Sequence, residues 1–131
     1  MDLDSPRPIY VQIIDEIKRA VARRQLQPGD RLPSQREMAQ RARVNPNTVQ
    51  RAFREMEVMG LVETARGQGT FIRNDPALLE QVRGEMAQAA VSSFVREMAA
   101  LGFGLQEAMA IVKEAWQTNE LHSNDTNNAG N

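Results

Sequence analysis

Residues 31 to 73 read RLPSQREMAQRARVNPNTVQRAFREMEVMGLVETARGQGTFIR and predict a helix, a tight turn, a second helix and a two-stranded wing. Ser34 stands where a helix N-cap belongs, and Glu37 follows three residues later. In this spacing each side chain can accept a hydrogen bond from the backbone N–H of the other, which has no partner inside the helix. The pair therefore predicts where the first helix of the segment begins.

The second helix of the segment begins with a side-chain cap, Asn45, and with Pro46 at the first helical position. Apolar residues then recur at i, i+3, i+4 and i+7, a spacing that predicts an inward face. They are Val49, Ala52, Phe53 and Met56. The opposite face carries amide and guanidinium groups, namely Asn47, Gln50, Arg51 and Arg54. Such groups match the donor and acceptor edges that base pairs present in the major groove.

The end of the segment predicts a β-hairpin. Gly60 ends the second helix, and residues 61–65 and 70–73 predict strands around the turn Arg66-Gly67-Gln68-Gly69. Arg31 and Leu32 predict a minimal strand at the base of this wing. The fold class is therefore mostly α, with a winged helix-turn-helix DNA-binding domain over residues 1–75.

An amphipathic helix is predicted ahead of this segment, over residues 9–24. Its apolar stripe consists of Tyr10, Ile13, Ile14, Ile17 and Val21. Tyr10 is expected to bury its ring in the core and to keep its hydroxyl at the edge of the core, and this role is favoured over ligand binding. Residues 1–7 are expected to form a mobile arm, in which Arg7 is either a contact to the DNA backbone or simply solvated.

Four motifs occur in a characteristic order: PIYVQI at 8–13, PGDRLPSQREMA at 28–39, VNPNTVQRAF at 44–53 and RGQGTF at 66–71. In this order they resemble the GntR family of bacterial transcription regulators, over about the first 75 residues. The short helical remainder is similar to the YtrA-like subgroup, which lacks large effector-binding domains. The resemblance implies that the controlled genes encode an ABC-type transporter. In one departure, Arg24 stands where the family often has a glycine that ends the first helix.

The candidate DNA-binding residues are Arg36, Asn45, Asn47, Thr48, Gln50, Arg51, Arg54, Arg66, Gly67 and Gln68. Arg36 lies at the positive end of its helix, which favours a phosphate, and the resemblance implies the same contact. Most candidates have a plainer alternative. Arg36 would pair with Glu37 or a neighbour, and Arg51 or Arg54 with Glu55 or Glu57. The two asparagines and Thr48 would only stabilise the start of their helix. The wing glycines would also suit a bare hairpin turn.

Residues 76–117 predict two helices that form a dimerisation hairpin, because their apolar faces exceed what one hairpin can bury. The candidate interface residues are Leu78, Val82, Met86, Phe94, Met98, Leu101, Val112 and Trp116. The helices are expected over residues 76–101 and 105–117, with Asp75 as the cap of the first. Residues 118–131 have too little apolar content to fold and are expected to be a disordered tail.

The composition and the charge distribution limit the classes of function that fit this chain. Residues 1–75 carry 13 Lys and Arg against 10 Asp and Glu, whereas residues 76–131 carry 3 against 7, so the basic part is the predicted DNA-binding part. The chain has no cysteine, its single histidine has no second ligand nearby in sequence, and it lacks a Walker-type phosphate loop. We therefore expect no enzyme activity, metal or cofactor, and a soluble cytoplasmic protein without a membrane segment or signal peptide.

Two functions from different classes fit these features. The first is a homodimeric regulator that binds a palindromic operator in double-stranded DNA, most simply as a repressor. The alternative is a winged-helix module for protein–protein interaction, which an acidic or arginine-poor second helix would favour; Arg51 and Arg54 argue against it. The sequence identifies neither the operator nor a small-molecule effector.

Overall fold

The computed structural model describes residues 5–129, and side chains from residue 5 to residue 123. Five helices and two strands follow in the order α1 (Ile9–Ala22), α2 (Gln35–Ala42), α3 (Pro46–Val58), β1 (Val62–Ala65), β2 (Gly69–Ile72), α4 (Leu78–Ala100) and α5 (Leu105–Ala129). The chain divides into two compact units, of which the first ends at Met86 and the second begins at Ala87. We call the first unit the head and the second the C-terminal unit.

The core of the head is built from one face of each helix. The four inward residues of α3 are buried as predicted, with Val49 and Ala52 fully enclosed. The aliphatic residues of the α1 stripe are buried too, and Tyr10 is half-buried. Two residues from the start of α4, Leu78 and Val82, are also in this core and are each 3% exposed. The head therefore includes the first turns of α4 and extends past the predicted boundary at residue 75.

The strands β1 and β2 pair antiparallel to form the wing, in register from Val62 opposite Ile72 to Ala65 opposite Gly69. Arg31 adds an isolated bridge to Phe71, which confirms the minimal strand predicted there. The backbone N–H of Leu32 donates to the carbonyl of Thr70 at 2.8 Å and continues this edge. The wing is thus fastened to the segment that leads into α2.

Several helices end in the same backbone motif, in which one residue adopts the left-handed conformation. At the end of α1 this residue is Arg24, with φ 63°, and at the end of α4 it is Gly102, with φ 86°. The N–H of Gln25 donates to the carbonyl of Ala20, as the N–H of Phe103 does to that of Met98. Arg24 therefore adopts the backbone geometry that a glycine would adopt without strain.

The later helices differ from the predicted bounds. Asp75 accepts a hydrogen bond from the N–H of Ala77 at 2.9 Å, as expected of a cap, and regular α4 begins at Leu78. Helix α5 continues to Ala129 instead of ending at Gln117. Residues 105–129 contain neither glycine nor proline, so nothing in them stops the helix, and the Thr118 hydroxyl bonds back to the carbonyl of Glu114. The predicted disordered tail is therefore helical up to Ala129, and residues 130 and 131 lie outside the described residues.

Among residues 5–129, no helix combines the length and the apolar character that a bilayer-spanning segment requires.

Candidate nucleic-acid interface

Side-chain caps fix the starts of α2 and α3. The Ser34 hydroxyl accepts a hydrogen bond from the N–H of Glu37 at 3.1 Å, and the Asn45 side chain accepts one from the N–H of Asn47 at 2.8 Å. Pro46 occupies the first turn of α3, where a missing N–H costs nothing. Only half of the predicted reciprocal bond at Ser34 is formed, because the Glu37 carboxylate turns to Arg41 instead, at 3.7 Å. Both helix starts are nonetheless held by their own sequence.

The two faces of α3 are divided as the apolar spacing predicts. Its inward residues lie in the core of the head. The polar candidates Asn45, Asn47, Gln50, Arg51 and Arg54 are exposed, while Thr48 is half-buried. An exposed row of amides and guanidinium groups along a capped helix offers both donors and acceptors to a base-pair edge.

Arg36 shares a surface with the start of α3. A shallow depression between α2 and α3 is lined by Gln35, Arg36, Ala39, Gln40, Val44, Pro46, Asn47 and Gln50. The structure thus brings Arg36, at the N-terminus of α2, beside two residues of the exposed row on α3. A cation at a helix N-terminus, next to free backbone N–H groups, suits a phosphate oxygen.

Arg51 lies over the aromatic ring of Tyr10, which belongs to α1. The Cζ atom of Arg51 is 3.9 Å from the ring centroid. Its Nη2 group donates a hydrogen bond of 3.3 Å to the Tyr10 hydroxyl. Tyr10 is half-buried and packs against the core, as predicted for the ring. No local pattern indicated the contact with Arg51, because 41 residues separate the two side chains in sequence.

The plainer alternatives for the arginines of α2 and α3 involve ion pairs, and these are not formed. Within the described residues, the ion pairs join Arg7 to Asp15, Arg41 to Glu37 and Arg83 to Glu80. Arg36, Arg51 and Arg54 are in none of them. Their guanidinium groups therefore remain available to a polyanion, whereas Arg7 is held by a carboxylate of α1.

The wing tip presents Arg66, Gly67 and Gln68 to solvent. The turn is closed by a hydrogen bond of 2.9 Å from the Gln68 N–H to the Ala65 carbonyl. Gly67 and Gly69 have φ angles of 78° and 121°, which a side chain would strain. The glycines therefore shape a tip whose polar groups are exposed.

Two exposed arginines near this surface were missed by the sequence analysis. Arg31 runs alongside the wing, so that a Cβ atom placed on Gly69 would lie 2.9 Å from its Nε. Arg43 occupies the turn between α2 and α3 in the left-handed conformation, with φ 54°. The sequence did contain an indication for Arg31, because a residue predicted to pair at the base of the wing must place its side chain beside the wing.

The structure corrects part of the predicted dimer surface. Leu78 and Val82 are buried in the head, and Met86 packs against the same core, so the first two have no surface to offer a second chain. The helical spacing that suggested them shows which side of α4 is apolar but not what covers it. In the C-terminal unit, Phe94 and Met98 are half-buried and Leu101, Val112 and Trp116 are exposed.

The described side chains offer no cluster of ligands for a metal ion. In residues 5–123 no three His, Cys, Asp or Glu side chains gather where an ion would be held. What the surface offers is hydrogen-bond donors, acceptors and positive charge, on a helix and a wing that a core holds in place. These features define a winged helix-turn-helix DNA-binding protein.

The chain belongs to the GntR family. The family model for bacterial regulatory proteins of the gntR family matches residues 9–72. An uncharacterized HTH-type transcriptional regulator of Bacillus subtilis (strain 168), YhcF, is 44% identical over 109 residues, which cover 83% of this chain and 90% of YhcF. The HTH-type transcriptional repressor YtrA of the same organism is 44% identical over 86 residues, which cover 66% of this chain and 65% of YtrA.

The fold agrees with a solved relative. A GntR family transcriptional regulator from Listeria monocytogenes superposes with a TM-score of 0.79 at 34% identity, covering 87% of this chain and 98% of that one. The chain is therefore a DNA-binding transcription regulator rather than an enzyme, and its C-terminal helices are shared with structural relatives of the family.

Proposed function

We propose that the protein is a homodimeric repressor that binds a palindromic operator through α3 and the wing of each head. The observation that carries this proposal is the exposed row on α3, which is polar, capped and free of internal ion pairs among the described residues. A recognition helix in the major groove with its N-terminal residues toward the base edges is the usual arrangement for a helix-turn-helix protein.

The candidate residues divide by chemistry into two roles. Arg51, Asn47 and Gln50 would contact base edges, because guanidinium and amide groups make paired hydrogen bonds to guanine or adenine. Arg36 would bind a phosphate at the N-terminus of α2. The wing would place Arg66 and Gln68 against the backbone or in the minor groove, and Arg31 adds a further positive charge beside it.

A second copy of the chain would cover the apolar face of the C-terminal unit. Ten large apolar side chains there are at least 38% exposed, a set that includes Leu101, Val112 and Trp116. An apolar surface of this kind is costly in water and typical of a subunit interface. Dimerisation also presents two recognition helices at a fixed spacing, which matches a palindrome with half-sites about one DNA turn apart.

The relatives suggest how the regulator acts. YtrA is a transcriptional repressor, and a dimer seated on a promoter would block RNA polymerase by occupying its site. The resemblance to the YtrA-like subgroup points to an ABC-type transporter operon as the target. Because the proposed target is chromosomal DNA, we expect the protein to act in the bacterial cytoplasm.

Selection of bound sequences from random duplexes, with the full-length protein, tests the proposal. The expected result is enrichment of a two-fold symmetric sequence whose half-sites are separated by about one helical turn. Arg51→Ala, run in parallel, should lose the enrichment at defined base positions. Enrichment of a single unrepeated site would contradict the dimer, and no enrichment at all would favour a protein-interaction module.

A further inference from the structure

Tyr10 and Arg51 form an association that reaches between two helices of the head. The guanidinium group of Arg51 stacks on the Tyr10 ring at 3.9 Å, and its Nη2 donates to the hydroxyl at 3.3 Å. Tyr10 is itself held in place, because it packs against the buried core. One side of Arg51 is therefore fixed by a side chain that is itself held in place.

The stacking leaves the hydrogen-bonding edges of Arg51 accessible. A guanidinium group carries five N–H donors, and Arg51 is exposed to solvent despite its contact with the ring. One donor is used by the Tyr10 hydroxyl. The others can meet the two acceptors of a guanine edge, which lie side by side and require a fork in a defined orientation.

A restrained arginine loses less conformational freedom on binding than a mobile one. An arginine side chain has many rotamers to lose, and a contact that already orders it in the free protein reduces the cost of ordering it in the complex. Arg54 shares the exposed face of α3 and has no aromatic partner among the described residues. Arg51 is thus restrained by an aromatic ring in the free protein, and Arg54 is not restrained by any ring that the structure describes.

We propose that Tyr10 is a positioning residue for sequence recognition, which orients the guanidinium plane of Arg51 toward the bases without touching DNA itself. The inference rests on the proposed contact between Arg51 and a base edge. Tyr10 belongs to α1, which lies outside the helix-turn-helix, so a residue of α1 would contribute to DNA specificity.

The test is a double-mutant cycle in the full-length protein. The variants are Tyr10→Leu, Tyr10→Phe, Arg51→Ala and Arg54→Ala, together with Tyr10→Leu combined with each arginine change. Affinity is measured at one salt concentration for the selected operator and for a scrambled duplex. Melting curves accompany each variant, and Tyr10→Phe keeps the ring in the core if Tyr10→Leu unfolds.

The expected pattern separates positioning from a structural effect. Tyr10→Leu should weaken operator binding about two- to fivefold, the range of an exposed cation–π contact, and leave the scrambled duplex unaffected. The loss should vanish when Arg51 is already alanine and persist in full when Arg54 is alanine. Tyr10→Phe should show a smaller loss, because it removes the hydroxyl and keeps the ring.

Other results would overturn the inference in distinguishable ways. Arg51→Ala should itself weaken operator binding roughly five- to 150-fold; no loss would remove the proposed base contact and the inference with it. If Arg51→Ala weakens binding but both Tyr10 variants match the parent, the base contact stands and positioning fails. Positioning also fails if Tyr10→Leu costs the same in the Arg51→Ala background, or if it tightens binding, because the ring would then restrain Arg51 away from DNA.

Discussion

The head and the C-terminal unit differ in how far their apolar side chains are exposed to solvent. Among the described residues, all fifteen buried apolar side chains belong to the head, where α1, α3, the wing and the start of α4 enclose them. In the described part of the C-terminal unit, residues 87–123, none is fully buried, and Trp116 is 65% exposed. The head therefore carries the core that a fold needs, whereas the C-terminal unit leaves exposed the apolar surface that we propose a second copy of the chain covers.

The largest expected effect concerns where the head ends. A fragment that ends at Met86 keeps Leu78 and Val82 in the core, and a fragment that ends at Asn74 loses both. Each buried side chain contributes about 1.5–3 kcal/mol, so the shorter fragment should be less stable by roughly 3–6 kcal/mol. This is a large part of a small domain's stability. Urea unfolding followed by circular dichroism measures the difference.

A control for this comparison is the longer fragment with Glu80→Ala, an exposed position on the same helix. Because Glu80 makes only an exposed ion pair with Arg83, this change should lower the free energy of unfolding by at most about 1 kcal/mol, well below the loss in the shorter fragment. Equal midpoints for the fragments that end at Asn74 and Met86 would show that α4 is not part of the head's core.

The second prediction concerns the apolar surface of the C-terminal unit, which we propose forms the dimer interface. Phe94→Asp places a charge in the proposed dimer seam, where the two copies each lose a buried aromatic side chain. Dimerisation should weaken by at least about 3 kcal/mol, which sedimentation equilibrium measures as dissociation into monomers. Ser93→Asp adds the same charge at the exposed neighbouring position and should leave the dimer intact. A Phe94→Asp protein that remains dimeric would move the contact to other residues of the C-terminal unit.

The wing offers a test inside the head that leaves assembly untouched. Gly67→Val and Gly69→Val force side chains into φ angles of 78° and 121°, at a cost on the order of 1–3 kcal/mol each. The tip should distort and operator affinity should fall, while the melting transition and the dimer persist because the turn lies at the surface. Thr64→Val, at an exposed wing position with ordinary backbone geometry, is the matched control. Unchanged affinity in folded glycine variants would show that the wing does not contact DNA.

The smallest expected effect is a gain in stability of the head. Arg24 holds a left-handed conformation at the end of α1, where Gly102 serves at the end of α4. Arg24→Gly should raise the free energy of unfolding by about 1 kcal/mol, because glycine adopts this conformation without a clash. Glu16→Gly, at an exposed position in the interior of the same helix, should lower it by a similar amount. Thermal unfolding of the two variants gives opposite signs, and a loss in both would mean that the Arg24 side chain stabilises the fold.

Local features of the fold were predictable because they depend on neighbours in sequence. The caps at Ser34 and Asn45 and the inward face of α3 follow from spacing alone, and the structure confirms them. The extent of α5 was wrong, because a polar composition without glycine or proline does not by itself end a helix.

Contacts between distant residues were less predictable. An apolar stripe along α4 is continuous in sequence, yet Leu78 lies in the head's core and Leu101 is exposed, since periodicity does not say which surface meets which. The stacking of Tyr10 and Arg51 depends on how α1 packs on α3 and has no sequence signal. The proposed contacts between the candidate residues and DNA remain predictions, and the exposure of the candidate side chains is consistent with them.

The capped start of α3 has a consequence for the thermodynamics and kinetics of operator binding. Asn45 and Pro46 fix the first turn of this helix in the absence of DNA. No coupled folding of the recognition helix is then needed, so the heat-capacity change of binding should follow the apolar area that the interface buries, without the excess that accompanies folding of a disordered segment. Association should likewise be a rigid docking whose rate is governed by electrostatic steering and falls as salt is added.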